Sequence, residues 1–253
     1  MLSIQERAAE IRRIIAKTAC QLELSYRRKI SSNSVYPTDE PRGAVEGPDP
    51  FSVAILGDWN SVGLGVITFD LSLGACFSRA LAHRTGHGVN WQLVPVEGFH
   101  LAAVPDSAAA SASKLADVDV AIIQLGALES MMFVSPRQWS DGLVAAIEAV
   151  QAAVGTAGCV VIAAIPPIEK IGSLTRFTQR EIGRECRELN AVSRTVAERY
   201  PRCQFTEFPE GLAAEVWIAE TNDLRFSHSY AVWGASIARE VVLEHRGETF
   251  APR

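Results

Sequence analysis

Short apolar runs alternate along this chain with longer segments in which apolar residues recur every three or four positions. The apolar runs cover residues 51–57, 90–96, 118–126 and 159–165, and a weaker run lies near 203–208. Runs of this length and composition are typical of strands that are buried on both faces, as in a parallel sheet. The pattern therefore predicts a sheet of about five strands.

Amphipathic segments occupy the intervals between the runs and predict helices. The first helix is predicted over residues 3–29, which contain no Gly or Pro. The others are predicted at about 69–84, 105–116, 136–153, 175–200 and 228–245. Strands that alternate with helices indicate an α/β domain with a parallel sheet covered on both faces. We divide the chain into an N-terminal helix (1–30), a linker or strap rich in Pro, Gly, Ser and acidic residues (31–50), and the α/β domain (51–253).

Composition excludes several functional classes. The chain has 253 residues, 48% of them hydrophobic, and a net charge of -5, which argues against a nucleic-acid partner. No apolar run reaches the roughly 18 residues of a membrane span, and the charged N-terminus does not resemble a signal peptide, so we expect a cytoplasmic protein without a membrane partner. The five cysteines form no C-x-x-C pair. We interpret them as buried apolar residues and expect no metal site.

The carboxyl ends of the strands are where a parallel sheet binds its ligands. In this chain those ends are followed by residues 57–63, 97–100 and 126–133, and by the segment from Ile165 onward. No glycine-rich phosphate-binding loop is present, because "GLG" at 63–65 is too short a match. We therefore expect no cofactor.

Five segments at these positions resemble the motif blocks of the SGNH (GDSL-type) hydrolase family, over about residues 51–244. They are "ILGDWNSVGLGV", "WQLVPVEGFHLA", "IIQLGALESM", "AAIPPIEKIGSL" with the later "ELNAVSRTVAERY", and "NDLRFSHSYAVWGASIA". Each block is a weak match alone, but the five occur in order at fitting spacings. The resemblance implies a three-layer α/β/α sandwich of flavodoxin-like type.

The residues that carry catalysis in that family are replaced in this chain. Gly57, Asp58 and Gly63 fix the register of the first block, which puts Trp59 at the position of the nucleophilic serine. In the third block Leu128 takes the position of the oxyanion-hole asparagine, and Glu129 follows it.

The closing motif has two possible registers. One puts Thr221 and Leu224 at the family's Asp and His, and the other puts Asp223 and Arg225 there, so neither supplies a histidine. Acyl transfer needs a nucleophile, a base and oxyanion donors, of which only the backbone N–H of Gly98 remains.

The replacements have a common chemical character. Apolar side chains at or just beyond the strand ends predict a pocket for a small hydrophobic organic ligand. These side chains are Trp59, Leu128, Met131, Met132 and Phe133. An equally simple interpretation is that these side chains are core residues that fill the cleft in which members of the family bind their substrate. Polar groups expected around the pocket are Asp58, Glu129, Asp223 or Glu220, His100 and Arg225. A carboxyl group among apolar residues has a raised pKa, which suits proton transfer near neutral pH.

Three functional hypotheses follow. In the first, the chain is a repurposed enzyme that performs non-hydrolytic acid–base chemistry, such as a cyclisation, dehydration or isomerisation, with Glu129, Asp58, Asp223 and His228 as candidate catalytic residues. In the second, it is a pseudoenzyme that only binds a ligand or partner. In the third, it is an esterase in which Ser61 and His228 form a relocated pair; otherwise Ser61 caps the following helix. The N-terminal helix packs either on the domain or on a second subunit of a homo-oligomer.

Overall fold

A six-stranded sheet forms the centre of the protein, in a computed structural model that describes residues 13–23, 35–58, 63–170, 174–213, 224–245 and 247–252. Its strands are β1 (Arg42–Val45), β2 (Phe51–Gly57), β3 (Val89–Pro95), β4 (Val120–Gln124), β5 (Cys159–Ala163) and β6 (Cys203–Thr206). The order across the sheet is β1-β3-β2-β4-β5-β6. The strands β2 to β6 run parallel, and β1 pairs antiparallel with β3 at one edge.

Helices cover both faces of this sheet. They are α1 (residues 13–23), α2 (Leu73–Thr85), α3 (Val104–Ala110), α4 (Ala112–Leu115), α5 (Ala127–Met132), α6 (Pro136–Ala153), α7 (Arg176–Ala197), α8 (Glu210–Ala213) and α9 (Leu224–Glu240). One face packs against α2 and α9, and the other packs against α1 and α3 to α7. This arrangement is the three-layer α/β/α sandwich that the sequence predicts, and its parallel strand order is that of flavodoxin-like folds.

Strand β2 shows why the sheet must be covered on both sides. Phe51, Val53 and Ile55 point to the layer of α2 and α9, whereas Ala54 and Leu56 point to the opposite layer. All five side chains are essentially inaccessible to solvent. The continuous apolar run in the sequence therefore has its expected cause, burial of alternate residues in two separate cores.

Three segments of the described chain differ most from the secondary structure predicted by the sequence, and one of them, Ala127–Met132, forms the short helix α5 although no helix is predicted there. Residues 42–45 lie in the expected linker but form the edge strand β1, because their backbone pairs with β3. The last helix ends at Glu240, not near residue 245, and is followed by a hairpin of β7 (Leu243–His245) and β8 (Glu248–Phe250). The ring of His245 stacks on Phe51 at a centroid distance of 4.1 Å, and its Nδ1 lies 3.1 Å from an Asp119 carboxylate oxygen. The hairpin thus packs at the amino-terminal ends of the strands.

Helix α1 packs on the α/β domain of its own chain. Ala16 and Cys20 are buried in the same hydrophobic cluster as the residues of α6 and α7. The carboxylate of Glu23 accepts hydrogen bonds from the backbone and side chain of Thr175, both at 2.8 Å, at the start of α7. A role of α1 in a homo-oligomer stays a prediction. Within the described ranges, none of the helices combines the length and apolar composition that a membrane-spanning segment requires.

Candidate functional site

The carboxyl ends of β2 and β4 mark the point where the chain changes direction across the sheet. From β2 the chain passes to β3 on one side, and it then crosses back to β4 on the other. The Asp58 N–H donates to the Gln124 carbonyl at 3.0 Å and so joins the two strands at this point. In this class of fold the loops around such a switch point are the usual place of a ligand-binding crevice.

The loop that follows β4 brings a helix directly to this crevice. Gly126 has a φ of 114°, which only glycine adopts without strain, and α5 begins at the next residue. A Cβ atom on Gly126 would lie 2.5 Å from Ile165 Cδ1, so a side chain there has no room. The tight turn puts Glu129 in the first turn of α5, close to the strand ends.

Glu129 is a buried carboxyl group with only one oxygen engaged. The residue is 5% exposed, and its Oε1 accepts a hydrogen bond from the Leu101 N–H at 2.7 Å. Its Oε2 is buried and has no hydrogen-bond partner among the described residues. A buried acceptor without a partner costs free energy, and such positions persist where they serve a ligand or a reaction.

Burial raises the pKa of Glu129 above the ordinary value of 4.5. The N–H groups of Leu101, Glu129 and Gly126 and the charge of His100 act in the opposite direction, but desolvation is the larger effect. The carboxyl group therefore keeps its proton to a higher pH than an exposed glutamate does. A carboxyl group with a raised pKa is better suited to act as a general acid or base than an exposed one.

The two loops that surround Glu129 contain backbone in the left-handed region. Phe99 has a φ of 58° and Phe133 a φ of 55°, and neither is a glycine. Gly98, between β3 and Leu101, has a φ of 61°, and a Cβ there would lie 3.1 Å from His100 Cδ2. Strained backbone of this kind is common in loops that hold functional groups in a fixed geometry. Gly98 and the half-buried His100 lie on the loop that contacts Glu129 through the Leu101 N–H, and a ligand-binding role for them stays a prediction.

Asp58 forms a second polar group together with Tyr36 and Tyr230, two residues that the sequence does not identify as part of the site. Asp58 is fully buried at the end of β2, and its charge contributes to raising the pKa of Tyr36 and Tyr230, for which burial is the larger cause. Tyr230 donates a hydrogen bond from its hydroxyl to the Leu64 carbonyl at 2.8 Å. Tyr36 lies in the strap, which packs on the turn at residues 63–65 because the Gly65 N–H donates to the Val35 carbonyl at 2.8 Å.

The predicted apolar residues have different environments. Phe133 is 5% exposed and belongs to the hydrophobic core on the α6 and α7 side, so it is a core residue. Met131 is partly buried against that core, Leu128 is half-buried, and Met132 is 39% exposed. A ligand-binding role for Leu128, Met131 and Met132 stays a prediction.

Several predicted site residues lie outside the part of the chain that the structure describes. These are Trp59, Ser61, Glu220, Thr221 and Asp223, and of Leu224 and Arg225 only the backbone in α9 is described. His228 lies in α9 and is exposed. Among the described residues, no group of three or more His, Cys, Asp or Glu side chains is placed to hold a metal ion.

Comparison with known proteins identifies the fold. No protein-family model and no curated protein sequence matches the chain. Solved structures do match. TesA aligns with a TM-score of 0.51 and 16% identity over 73% of this chain and 97% of its own. AlinE4, an SGNH-hydrolase family esterase, aligns with a TM-score of 0.51 and 18% identity over 70% of this chain and 87% of its own.

A third structure, Est24, is a carbohydrate acetylesterase from Sinorhizobium meliloti, and it aligns with a TM-score of 0.50 and 16% identity over 74% of this chain and 96% of its own. The resemblance found in the sequence motifs is thereby confirmed at the level of structure. The chain has the SGNH-hydrolase fold, at the low sequence identity expected of a divergent sequence.

The raised pKa of Glu129 predicts a specific dependence of stability on pH. Because the folded state holds this proton more tightly than the unfolded state, the contribution of Glu129 is most favourable below the ordinary pKa of 4.5 and is lost as the pH rises through the folded value. Glu129→Gln keeps an acceptor for the Leu101 N–H but cannot ionise. The free energy of unfolding of the variant, relative to wild type, should therefore increase with pH across this window.

Denaturant unfolding at a series of pH values measures this difference. Glu148→Gln is a suitable control, because Glu148 is exposed on α6 and bonded only at the surface, to the Tyr200 hydroxyl at 2.8 Å. Parallel pH profiles for wild type and Glu129→Gln would show that Glu129 is not desolvated in the folded protein.

Proposed function

We propose that this chain, which has the fold of the SGNH hydrolases, binds a small hydrophobic organic molecule in the crevice and transfers a proton to or from it through Glu129. The observation that carries this proposal is the buried Oε2 of Glu129 at the switch point of the sheet, which has no hydrogen-bond partner in the part of the chain that the structure describes. A desolvated carboxylate is a stronger base than one in water, and its protonated form is available as an acid at a higher pH. Cyclisation, dehydration and isomerisation are reactions that need only such a group and a dry pocket.

The residues around Glu129 support a non-hydrolytic reaction. Trp59 follows Asp58 at the serine position of the family motif, and Leu128 stands at the position of the oxyanion-hole asparagine. Loss of one oxyanion donor costs roughly 3 kcal/mol in acyl transfer, and an absent nucleophile cannot be compensated by the remaining groups. Glu129 is the neighbour of Leu128 and is oriented by the Leu101 N–H.

The other polar residues have assignable supporting roles. Asp58 lies at the end of β2, beside Tyr36 and Tyr230, and contributes the second negative charge of the crevice. His100 carries a charge of the opposite sign next to Glu129 when protonated, which stabilises the ionised carboxylate. In this proposal Trp59 forms the apolar wall of the pocket, whose broad indole face suits stacking on an organic ligand. Asp223, Arg225 and His228 remain candidates from the sequence.

Two other functions each have one observation in their favour. A binding or scaffold protein without catalysis is favoured by the closure of the site, because Oε2 of Glu129 is shielded from solvent and Phe133 fills the core. A serine esterase with a relocated Ser61 and His228 pair is favoured by the esterases among the structural neighbours. The two experiments that follow separate these functions from the proposed one.

The proposal is tested with 5-nitrobenzisoxazole, an apolar compound that releases a coloured phenolate when a base removes its carbon-bound proton. Wild-type protein should accelerate this elimination, with a rate that rises as the pH passes through the raised pKa of Glu129, because the ionised form is the base. Glu129→Gln should lower kcat by about a hundredfold. Ser61→Ala, the matched control, should leave kcat unchanged.

An equal rate for wild type and Glu129→Gln would overturn the assignment of Glu129 as the base. If wild-type protein does not accelerate the elimination at all, the protein is better described as a scaffold or binding protein.

Serine-dependent hydrolysis is tested directly with a fluorophosphonate probe. Because Trp59 takes the serine position and the closing motif lacks a histidine, intact-mass measurement should show no stoichiometric adduct. An adduct that maps to Ser61 and disappears in His228→Ala would establish the relocated pair, and the protein would then be an esterase. A true SGNH esterase, treated in parallel, confirms that the probe is active.

A further inference from the structure

The side chain of Arg13 joins helix α1 to the body of the protein at two points. Its Nη2 donates a hydrogen bond to the Val134 carbonyl at 2.5 Å and forms an ion pair with the Glu185 carboxylate. The side chain of Arg13 is 20% exposed, whereas that of Glu185 is only 4% exposed. The guanidinium group therefore reaches through the surface layer to a buried acid on α7 and to the loop after α5.

The Val134 carbonyl belongs to the segment that terminates α5. The Val134 N–H donates to the Glu129 carbonyl at 3.0 Å, and the Phe133 N–H donates to the Ser130 carbonyl at 3.2 Å. Phe133 itself has φ 55° and ψ 48°, a left-handed conformation that costs a non-glycine residue free energy. Arg13 supplies a charged donor to the Val134 carbonyl, two residues beyond the end of α5, and so holds the segment that follows this strained termination.

The buried Glu185 fixes the position of that donor. A buried carboxylate without a cation is costly, so the ion pair holds the guanidinium group against α7. From this fixed position the same nitrogen reaches Val134. Two hydrogen bonds then lead from Arg13 to the functional group, from Nη2 to the Val134 carbonyl and from the Val134 N–H to the Glu129 carbonyl.

We propose that Arg13 is a positioning residue for Glu129, and that helix α1 is thereby part of the candidate site rather than an appendage. Arg13 holds the end of α5 in the geometry that keeps the Glu129 side chain buried and bonded to the Leu101 N–H. The inference rests on the proposed function for what Glu129 does, but the coupling between the two residues exists whether or not Glu129 is catalytic.

A double-mutant cycle measures this coupling without an activity assay. The pH-dependent difference in unfolding free energy between wild type and Glu129→Gln is determined again in an Arg13→Met background. If Arg13 keeps Glu129 buried, the difference should shrink toward zero in Arg13→Met, because the carboxyl group becomes hydrated. Among the described residues, His100 is the titratable group that acts on Glu129, so His100→Gln is included to remove its contribution.

Glu23→Gln is the matched control for loss of α1 docking. Glu23 tethers the same helix to Thr175 and Thr178 at the start of α7, away from α5. The Glu23→Gln substitution should lower the free energy of unfolding at every pH but leave the pH-dependent difference caused by Glu129→Gln unchanged. Arg13→Lys retains the charge but not the several N–H donors of the guanidinium group, so it should reduce the Glu129-dependent difference in the same direction but by less than Arg13→Met does. It replaces Arg13→Met if that variant does not fold.

Two results would overturn the inference. The first is a Glu129-dependent difference in unfolding free energy that is the same in the Arg13→Met background as in wild type. The second is an equal decrease of that difference in the Glu23→Gln background, since Arg13 would then act only as a general anchor of α1. In the elimination assay, Arg13→Met should lower kcat more than it raises KM. Failure of that assay in wild type contradicts the proposed function but not the coupling, which the unfolding measurements report independently.

Discussion

Strands β2, β4 and β5 have no face in contact with water, because each lies between two layers of helices. This constraint leaves polar chemistry only at the ends of the strands, where the backbone leaves the sheet. At the carboxyl end, the first polar side chains available on β2 and on the segment after β4 are Asp58 and Glu129. Their burial follows directly from the packing of the sheet. The cost of that burial is partly offset for Glu129 by the Leu101 N–H, with smaller contributions from the N–H groups of Glu129 and Gly126, while Oε2 has no hydrogen-bond partner among the described residues. At the opposite ends of the strands, the hairpin of β7 and β8 packs its His245 ring on Phe51 beside the Asp119 carboxylate.

The architecture could be predicted from the sequence because burial on both faces leaves a strong trace in composition. Apolar runs of strand length and amphipathic helices identify the sheet and its layers without further information. Elements stabilised by tertiary contacts left no such trace. Strand β1 consists of "RGAV", and it forms because β3 has a free edge to pair with. Helix α5 has six residues and begins at a glycine that the packing of Ile165 requires, so no periodicity could indicate it. The helix predicted to reach residue 245 ends earlier because its last residues pair as a hairpin.

The candidate site was predictable in part for the same reason. Asp58 follows β2 directly and is placed by that strand, whereas Glu129 could be named as a candidate from the motif register although the helix that carries it, α5, could not be predicted. The contributions of Tyr36 and Arg13 could not, because both come from the N-terminal part of the chain, and their positions depend on how the strap and α1 pack on the domain. Phe133 was expected at a pocket wall, but the left-handed turn after α5 directs it into the core. A motif comparison alone therefore describes only which residues stand at the motif positions, whereas the packing shows which groups surround Glu129.

The account depends most on one property, the desolvation of Glu129 in the folded protein. Its most direct measurement is a titration of the Glu129 carboxyl carbon by nuclear magnetic resonance, with the signal assigned by comparison with Glu129→Gln. The account predicts a midpoint clearly above 4.5, the ordinary pKa of a glutamate, together with a further rise when an apolar ligand excludes water from the crevice. A midpoint at or below the ordinary value would contradict it, because the carboxyl group would then be hydrated or fully paired and would serve the structure alone.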